Sequence, residues 1–519
     1  MTTPYVIGID LGTQSIKSSI IDKDGNVVGE ASQEVKLHYP RPNWVEQDPD
    51  EFYLSALNTV RKAVLQSKIS PKAVLGIGLD SQMASTIRID KDWNPLDRME
   101  CYLDTRYQVQ RDRIMDEHSD FILNSNGFYP YVGPRLLWWK EELPDEYERT
   151  CKVVMLNAYV GGCMAGLKAD QAYIDPTYIG TTGLSDIRQF SWSQEMADLM
   201  NLQLEKLPRI VQPWEVIGEL TPAAADACGL VPGIPIAAGV GDAVAGWIGV
   251  GAVEPGIVVD TSGTAHHLAL CVDNYQPDLE NKVLTHFPSA VPGQWYSFGY
   301  TAGTGRSHTW FIDEFCLTED EISGDGKQRV YTQLDELAKE ISPGSEGLIF
   351  IPHLGGRMCP YAPNIRGIWM GFTWKHNRAH FYRALLESIA YEFFTYLKVA
   401  RSLYPDTLFS RVIVIGGGAK SELWTQIKAD VLGIPHAATI NRQDFAPLGS
   451  AIIAGYAVGL FDDIAETAKG FASISRDVFP NRANRDIYRE FAEFYDQVFA
   501  EMSPTFDKLS RLAEVSHIA

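Results

Sequence analysis

Clustered cysteines, long apolar runs and an excess of positive charge are all missing from this 519-residue chain. Its seven cysteines, Cys101, Cys151, Cys163, Cys228, Cys271, Cys316 and Cys359, are scattered without a CxxC pair. That spacing fits reduced packing thiols and disfavours a disulfide framework, a zinc site or a catalytic cysteine. No apolar run reaches the roughly 18 residues of a membrane-spanning helix, and the first residues lack the basic start and apolar centre of a signal peptide. A cytoplasmic location with no membrane partner is therefore expected. Lysine and arginine total 45 against 66 acidic residues, a formal charge of −21. Nucleic acid is disfavoured as the main partner, because binding that polymer requires clustered cations. Hydrophobic and charged fractions of 45% and 21% are those of a soluble globular protein, and the length calls for two large domains.

What the chain does contain is glycine beside hydroxyl residues. Gly8-Ile9-Asp10-Leu11-Gly12-Thr13-Gln14-Ser15-Ile16-Lys17 and Asp260-Thr261-Ser262-Gly263-Thr264 each follow a strand-like apolar run. Small residues let the backbone bend tightly and aim its N–H groups at an anion. Thr13, Ser15, Thr261, Ser262 and Thr264 add hydroxyl donors, and Asp10 places a carboxylate where a phosphate-bound Mg²⁺ can be held directly or through water. One such turn alone reads equally well as an ordinary β-turn. The repetition points to an ATP-handling enzyme that grips phosphates from both sides.

The N-terminal half reads as strand, turn, strand, hairpin, strand over residues 5–29, then a helix over 51–66 after Asp48-Pro49-Asp50, then a buried strand over 73–79. The C-terminal half repeats this grammar with strands at 257–259 and 267–270, a helix around 378–401 and a strand at 412–415. Two similar halves suggest internal duplication, and the tail after about residue 485 reads as an amphipathic helix. After the last of those strands, Gly416-Gly417-Gly418-Ala419-Lys420-Ser421 matches neither GxxxxGK[ST] nor GxGxxG. It reads as a glycine turn entering a helix, able to lay a flat group against bare backbone, or else as a plain strand-to-helix connection. In Gly239-Val240-Gly241-Asp242-Ala243-Val244-Ala245-Gly246, Asp242 is the only functional side chain in a bare segment. It is the candidate base that accepts an alcohol's proton as the alcohol attacks a γ-phosphate; the bland alternative is a helix N-cap.

Taken together, the chain resembles the FGGY family of carbohydrate kinases over nearly its whole length. The resemblance rests on residues 8–17, Trp44-Val45-Glu46-Gln47-Asp48-Pro49, Gly241-Asp242-Ala243, Thr261-Ser262-Gly263-Thr264, Gly367-Ile368-Trp369-Met370-Gly371-Phe372 with Ala384-Leu385-Leu386-Glu387, the Gly416–418 turn and Ala446-Pro447-Leu448-Gly449-Ser450-Ala451. It implies an α/β fold of two actin-like, hexokinase-like (ribonuclease H-like) ATPase domains, 1–253 and 254–519, with a cleft between them that closes on substrate. It also implies ATP and Mg²⁺, with Asp242 as base and metal contact and Asp10 as metal organiser. The phosphate and nucleotide contacts it implies are Thr13, Gln14, Ser15, Lys17, Thr261, Ser262, Gly263, Thr264, Gly417, Gly418 and Ala419, together with Gly303 and Gly305, which read equally as helix caps. A homodimer would be ordinary for the family.

Leu79-Asp80-Ser81-Gln82-Met83-Ala84-Ser85 resembles the sugar-contacting segment of xylulose kinases, with Ala84 where their histidine stands. Losing an imidazole removes a hydrogen bond to a sugar hydroxyl and shifts substrate preference. Gln82, Met83, Asp104 and Arg106 are the resulting substrate candidates beside Asp242, although Asp104 and Arg106 read equally as a structural ion pair. Trp44, Phe128 and Tyr129 are aromatics that could flank the sugar. The expected reaction is phosphorylation of a terminal hydroxyl of a ketose, a pentulose such as xylulose first and an erythritol- or glycerol-type polyol second. An actin-like ATPase or a silent sugar sensor is the reading from a different class.

Overall fold

The computed structural model describes residues 3–263, 266–301, 303–316, 326–439 and 444–515. Two seven-stranded mixed sheets organise the chain. The first begins with β1 (Tyr5–Leu11), β2 (Ser15–Asp22) and β3 (Val27–Glu34), an antiparallel meander. Helix α1 (Pro49–Ser67) follows, set by Asp48, whose carboxylate accepts the Asp50 N–H, and by Pro49 in the first turn. Its apolar face, Phe52, Ala56, Val60 and Ala63, is buried against β2 and β3. The chain then returns as β4 (Val74–Ser81), parallel to β1. Strands β5 (Val216–Glu219), β6 (Pro235–Ala237) and β7 (Val240–Gly241) complete this sheet in the order β5-β6-β4-β1-β2-β3, with β7 also on β4. Between β4 and β5 a separate core of Tyr107, Leu136, Trp139, Tyr178 and their neighbours forms an elaboration beside the sheet.

Helix α2 (Asp242–Gly249) leads into the second sheet, made of β8 (Ile257–Ser262), β9 (His266–Val272), β10 (Leu284–Pro288), β11 (Trp295–Thr301), β12 (Arg411–Ile415), β13 (His436–Ala438) and β14 (Arg476–Val478). Its order is β10-β11-β9-β8-β12-β13-β14. The duplication expected from sequence is visible here. In each sheet a hairpin, β1/β2 or β8/β9, is followed by a parallel neighbour of its first strand, β4 or β12. Helices α3 (Arg378–Leu403), α4 (Glu422–Leu432) and α6 (Arg482–Val515) pack on the second unit, and the expected tail helix is α6.

Helix α5 (Ala446–Ala457) comes from the second half of the chain but packs on α2, β1 and β4 of the first sheet. Glycines permit the contact. A Cβ at Gly8 would lie 1.7 Å from the Pro447 carbonyl oxygen, one at Gly78 2.1 Å from that of Ser450, and one at Gly449 1.9 Å from that of Ala245. Only bare backbone fits at such separations. The shared core around α5, with Val6, Val244, Ile248, Val259, Ile413, Leu448 and Ile452, joins both units.

Candidate active site

Strand register assembles the acids. On the parallel β1/β4 pair Asp10 lies beside Asp80, and Asp80 lies beside Val240 on β7. Helix α2 starts two residues later, so Asp242 emerges at the same end of the sheet. Gly241 takes the N-cap position, and the Asp242 carboxylate accepts a hydrogen bond from its neighbour Ala243 N–H at 2.7 Å. Burial lifts the Asp242 carboxyl to about 7, and nearby Asp10 adds to the rise. Burial also lifts Asp10 to about 6, against the pull of Lys17 and of a hydrogen bond from Asp80. Asp80 is raised well above the usual carboxylate range by burial and by Asp10, while the Ser450 hydroxyl donates to it. Lys17 is itself ion-paired with Asp444.

Desolvated carboxylates that destabilise one another are a donor set that a divalent cation relieves. Asp10 and Asp242 both open into one cavity, so these residues fit Mg²⁺. No cluster of three or more metal-ligating side chains occurs among the described residues. That suits Mg²⁺, which takes one or two carboxylates from a protein and the rest of its shell from water and phosphate.

Two cavities lie at the paired ends of β8 and β12, where Thr261 is in register with Ile415. The smaller, about 440 Å³, holds Asp10, Gly12, Thr13, Met83, Thr261 and Asp242. The larger, about 1090 Å³, holds Ser262, Gly263, Gly305, Gly417 and Gly418. Gly416, at φ +84°, turns the chain over the Ser262 carbonyl; Gly418 brings its backbone against the Ser262 side chain and the Trp424 ring. Gly417 has open space around it, leaving backbone available to a flat ligand. Deeper in this cavity Asp335 accepts hydrogen bonds from the Ser421 hydroxyl at 2.7 Å and the Tyr382 hydroxyl at 3.1 Å.

Several candidates are engaged within the protein or line neither cavity. The Ser262 hydroxyl donates to Asp260 at 2.9 Å and receives a bond from buried Lys428 at 2.7 Å, so its side chain serves a buried ion pair, Lys428 with Asp260. Gly303, at φ +71°, caps the helix Thr304–Phe315, its carbonyl accepting the Ser307 N–H at 2.7 Å. Ala419 is fully buried, and Gln14, Ser15 and Lys17 line neither cavity. Thr264 lies outside the described residues. Of the substrate candidates, Met83 reaches the smaller cavity beside Asp242, and Gln82, Asp104 and Arg106 do not. Gln82 is buried, donating to Gln47 Oε1 at 2.7 Å and accepting from the Thr13 hydroxyl at 3.3 Å. Asp104 and Arg106 form a buried ion pair at 2.7 Å, with the guanidinium also on Glu46 and 3.7 Å from the Trp44 ring centroid. The pair is structural, and Trp44 is spent on it; Phe128 and Tyr129 do line the smaller cavity.

Sequence reasoning named none of Asp80, Asp444, Trp247, His267, Tyr300, Met358 and Cys359 as site residues. Asp80 carried a local signal, a carboxylate inside an apolar strand. The last five reach the cavity from α2, from β9 and β11 and from the loop after His353, and no local pattern brings those segments together.

The model of the FGGY family of carbohydrate kinases, N-terminal domain, matches residues 5–249, and that of its C-terminal domain matches residues 257–458. Among curated proteins, the chain is 26% identical over 502 residues to a xylulose kinase of Staphylococcus epidermidis, covering 96% of this chain and 97% of that one. An autoinducer-2 kinase of Klebsiella pneumoniae is 28% identical over 512 residues, 96% and 94% of the two chains. A gluconokinase of Bacillus subtilis is 26% identical over 522 residues, 99% and 96% of the two. Among solved structures, a ligand-bound xylulose kinase from Lactobacillus acidophilus superposes with a TM-score of 0.87 at 24% identity, covering 98% of this chain and all of that one. With matching models on both halves and the same two-unit fold, this chain belongs to the FGGY family of carbohydrate kinases, ATP-dependent enzymes that phosphorylate sugars.

Proposed function

We propose that this kinase transfers the γ-phosphoryl group of ATP to a terminal hydroxyl of a small ketose of pentulose size, with Asp242 accepting the hydroxyl proton. The observation that carries this reading is the place of Asp242, at the head of α2 in the smaller cavity, with a carboxyl near 7 that is poised to take a proton at neutral pH. In it the acceptor occupies the smaller cavity and the nucleotide the larger. The Ser262-Gly263 and Gly417-Gly418 backbone faces the nucleotide, and the Thr13 and Thr261 side chains stand where the transferring group would cross. The Thr261 hydroxyl is buried with no hydrogen-bond partner among the described residues, so it is a donor left over for a ligand. Asp10 and Asp242 would hold Mg²⁺, which when bound neutralises the phosphate charge that builds up during transfer. Closure of the two units around the acceptor would exclude water, as the resemblance implied.

Relatives named xylulose kinase support a ketopentose as the first acceptor to test, while relatives named gluconokinase and autoinducer-2 kinase, at similar identity, show how far acceptors vary at this distance. The test is coupled ADP release with Mg-ATP against pentuloses, hexuloses, tetritols, glycerol and aldonates, beside Asp242→Asn. Turnover on a pentulose that the variant loses is the expected result. ADP release that no acceptor stimulates, equal in both proteins, would overturn the reading.

A further inference from the structure

We infer that Thr177 and Tyr178 are positioning residues for Asp242, holding the two peptide groups that precede it so that its carboxylate faces the acceptor. The inference rests on the reading of Asp242 as the base and goes beyond it, because neither of these side chains lines either cavity.

A helix is commonly fixed at its start by a Ser, Thr, Asp or Asn side chain at the N-cap. Helix α2 has Gly241 there instead. A Cβ on Gly241 would lie 2.2 Å from the Met83 sulfur and displace a side chain that walls the smaller cavity. The start of α2 therefore carries no cap of its own.

The fastening comes from the elaboration between β4 and β5. There Asp175 caps the short helix Pro176–Ile179, accepting the Thr177 N–H at 2.9 Å and the Thr177 hydroxyl at 2.5 Å. With its proton committed to Asp175, the Thr177 oxygen accepts the Gly241 N–H at 2.8 Å. The next residue takes the other side of the same turn, Tyr178 donating its hydroxyl to the Val240 carbonyl at 2.8 Å. Tyr178 also accepts the Ser81 N–H at 3.1 Å and lies 2.8 Å from the Ser81 hydroxyl, and Ser81 is the partner of Gly241 in the β4/β7 register. Asp175, Thr177, Tyr178 and Ser81 are all buried, so solvent does not compete for these bonds. Two successive side chains thus grip two successive peptide groups, and the residue that follows is Asp242. At a reacting carboxylate a shift of about 1 Å lowers the rate by roughly 100-fold.

Thr177→Val and Tyr178→Phe each keep the side chain's shape and remove one hydroxyl. Their kcat and KM are measured by ADP release with Mg-ATP and whichever of xylulose, ribulose, erythritol, glycerol or gluconate the parent turns over fastest. Thr177→Val is measured again in the Asp242→Asn background. Each variant should lose roughly 10–100-fold in kcat, with KM for Mg-ATP and acceptor within about threefold of the parent. Thr177→Ser, which keeps the hydroxyl, should recover most of the loss. On Asp242→Asn the further loss from Thr177→Val should be under about threefold, since a residue that acts through the base has nothing left to aim. Equal losses in both backgrounds, or parent-like kcat in both hydroxyl variants, would overturn the inference and leave Asp242 as the base. Full activity in Asp242→Asn alone would overturn the base, and the inference with it. Hydrogen exchange followed by mass spectrometry decides the clamp without any acceptor. Peptides covering residues 240–246 should exchange faster in Thr177→Val and in Tyr178→Phe, while those of α1 keep the parent's rate. Unchanged exchange over residues 240–246 would overturn the clamp even where no acceptor is turned over.

Discussion

Replacing Asp242 by asparagine keeps the shape of the side chain and removes the proton acceptor. The side chain keeps an amide oxygen able to accept the Ala243 N–H bond, so the fold has no reason to change. Loss of general-base assistance should lower kcat by roughly 100- to 10,000-fold. The pH dependence gives a second, independent reading. The base works ionised; its carboxyl lies at about 7 in the unliganded protein, and a cation held by Asp10 and Asp242 lowers it by favouring the charged form. Plotted as its logarithm, kcat/KM should therefore rise with a slope near one and level at or below about pH 7. The assay is coupled ADP release at saturating Mg-ATP and low acceptor, from pH 5 to 9. The Asp242→Asn variant should show low activity without that inflection. A stability measurement checks the sign from the other side. Because the folded carboxyl lies above its ordinary value of 3.8, the native state holds its proton more tightly than the unfolded chain does, and the group erodes stability as pH climbs from about 4 to 7, by up to about 4 kcal/mol. Asp242→Asn should accordingly melt higher than the parent at pH 8 and no higher at pH 4. Activity within threefold of the parent, or the same inflection in the variant, would refute the assignment of the base.

Three further outcomes follow from features away from that carboxylate. Lys428→Met leaves Asp260 buried without its cation; breaking such a pair should cost roughly 3–5 kcal/mol, read as a lower denaturation midpoint, and a loss under about 1 kcal/mol would count against it. Gly449→Ala drives a methyl group into the Ala245 carbonyl, so α5 must shift; a cost of about 1–3 kcal/mol is expected, whereas Gly417→Ala, which meets open space, should leave the melting temperature unchanged and weaken ATP alone. Burial pushes the Asp175 carboxyl up to about 7, so Asp175→Asn should stabilise the fold above pH 7 and lose that advantage near pH 4, as followed by thermal melts across that range.

Local chemistry was the legible part of this chain. Glycine beside hydroxyl residues marked both turns that line the two cavities; Asp48-Pro49 marked the start of α1, and Ser421 that of α4. Asp10 and Asp242 stood out because their neighbours are small or apolar. What stayed hidden were side-chain alliances made over long sequence separations. Gln82 and Arg106 look like sugar contacts until Gln47, Glu46 and Trp44 are placed around them. Asp80 acquires meaning only from a strand register that sets it against Asp10. The aromatic wall of the smaller cavity draws on both sheets, and its rings, read one at a time, are indistinguishable from core.

The seating of α5 bears on how the molecule can move. Because its backbone is interlocked with β1, β4 and α2 through glycines that leave no slack, it must travel with the first sheet although it belongs by sequence to the second half. The flexible joints of any opening motion are then not the single passage after α2 but also the two ends of α5, beside Asp444 and near Val458. A polypeptide cut at residue 253 would strand this helix on the wrong fragment, so the two halves should recover structure only when mixed.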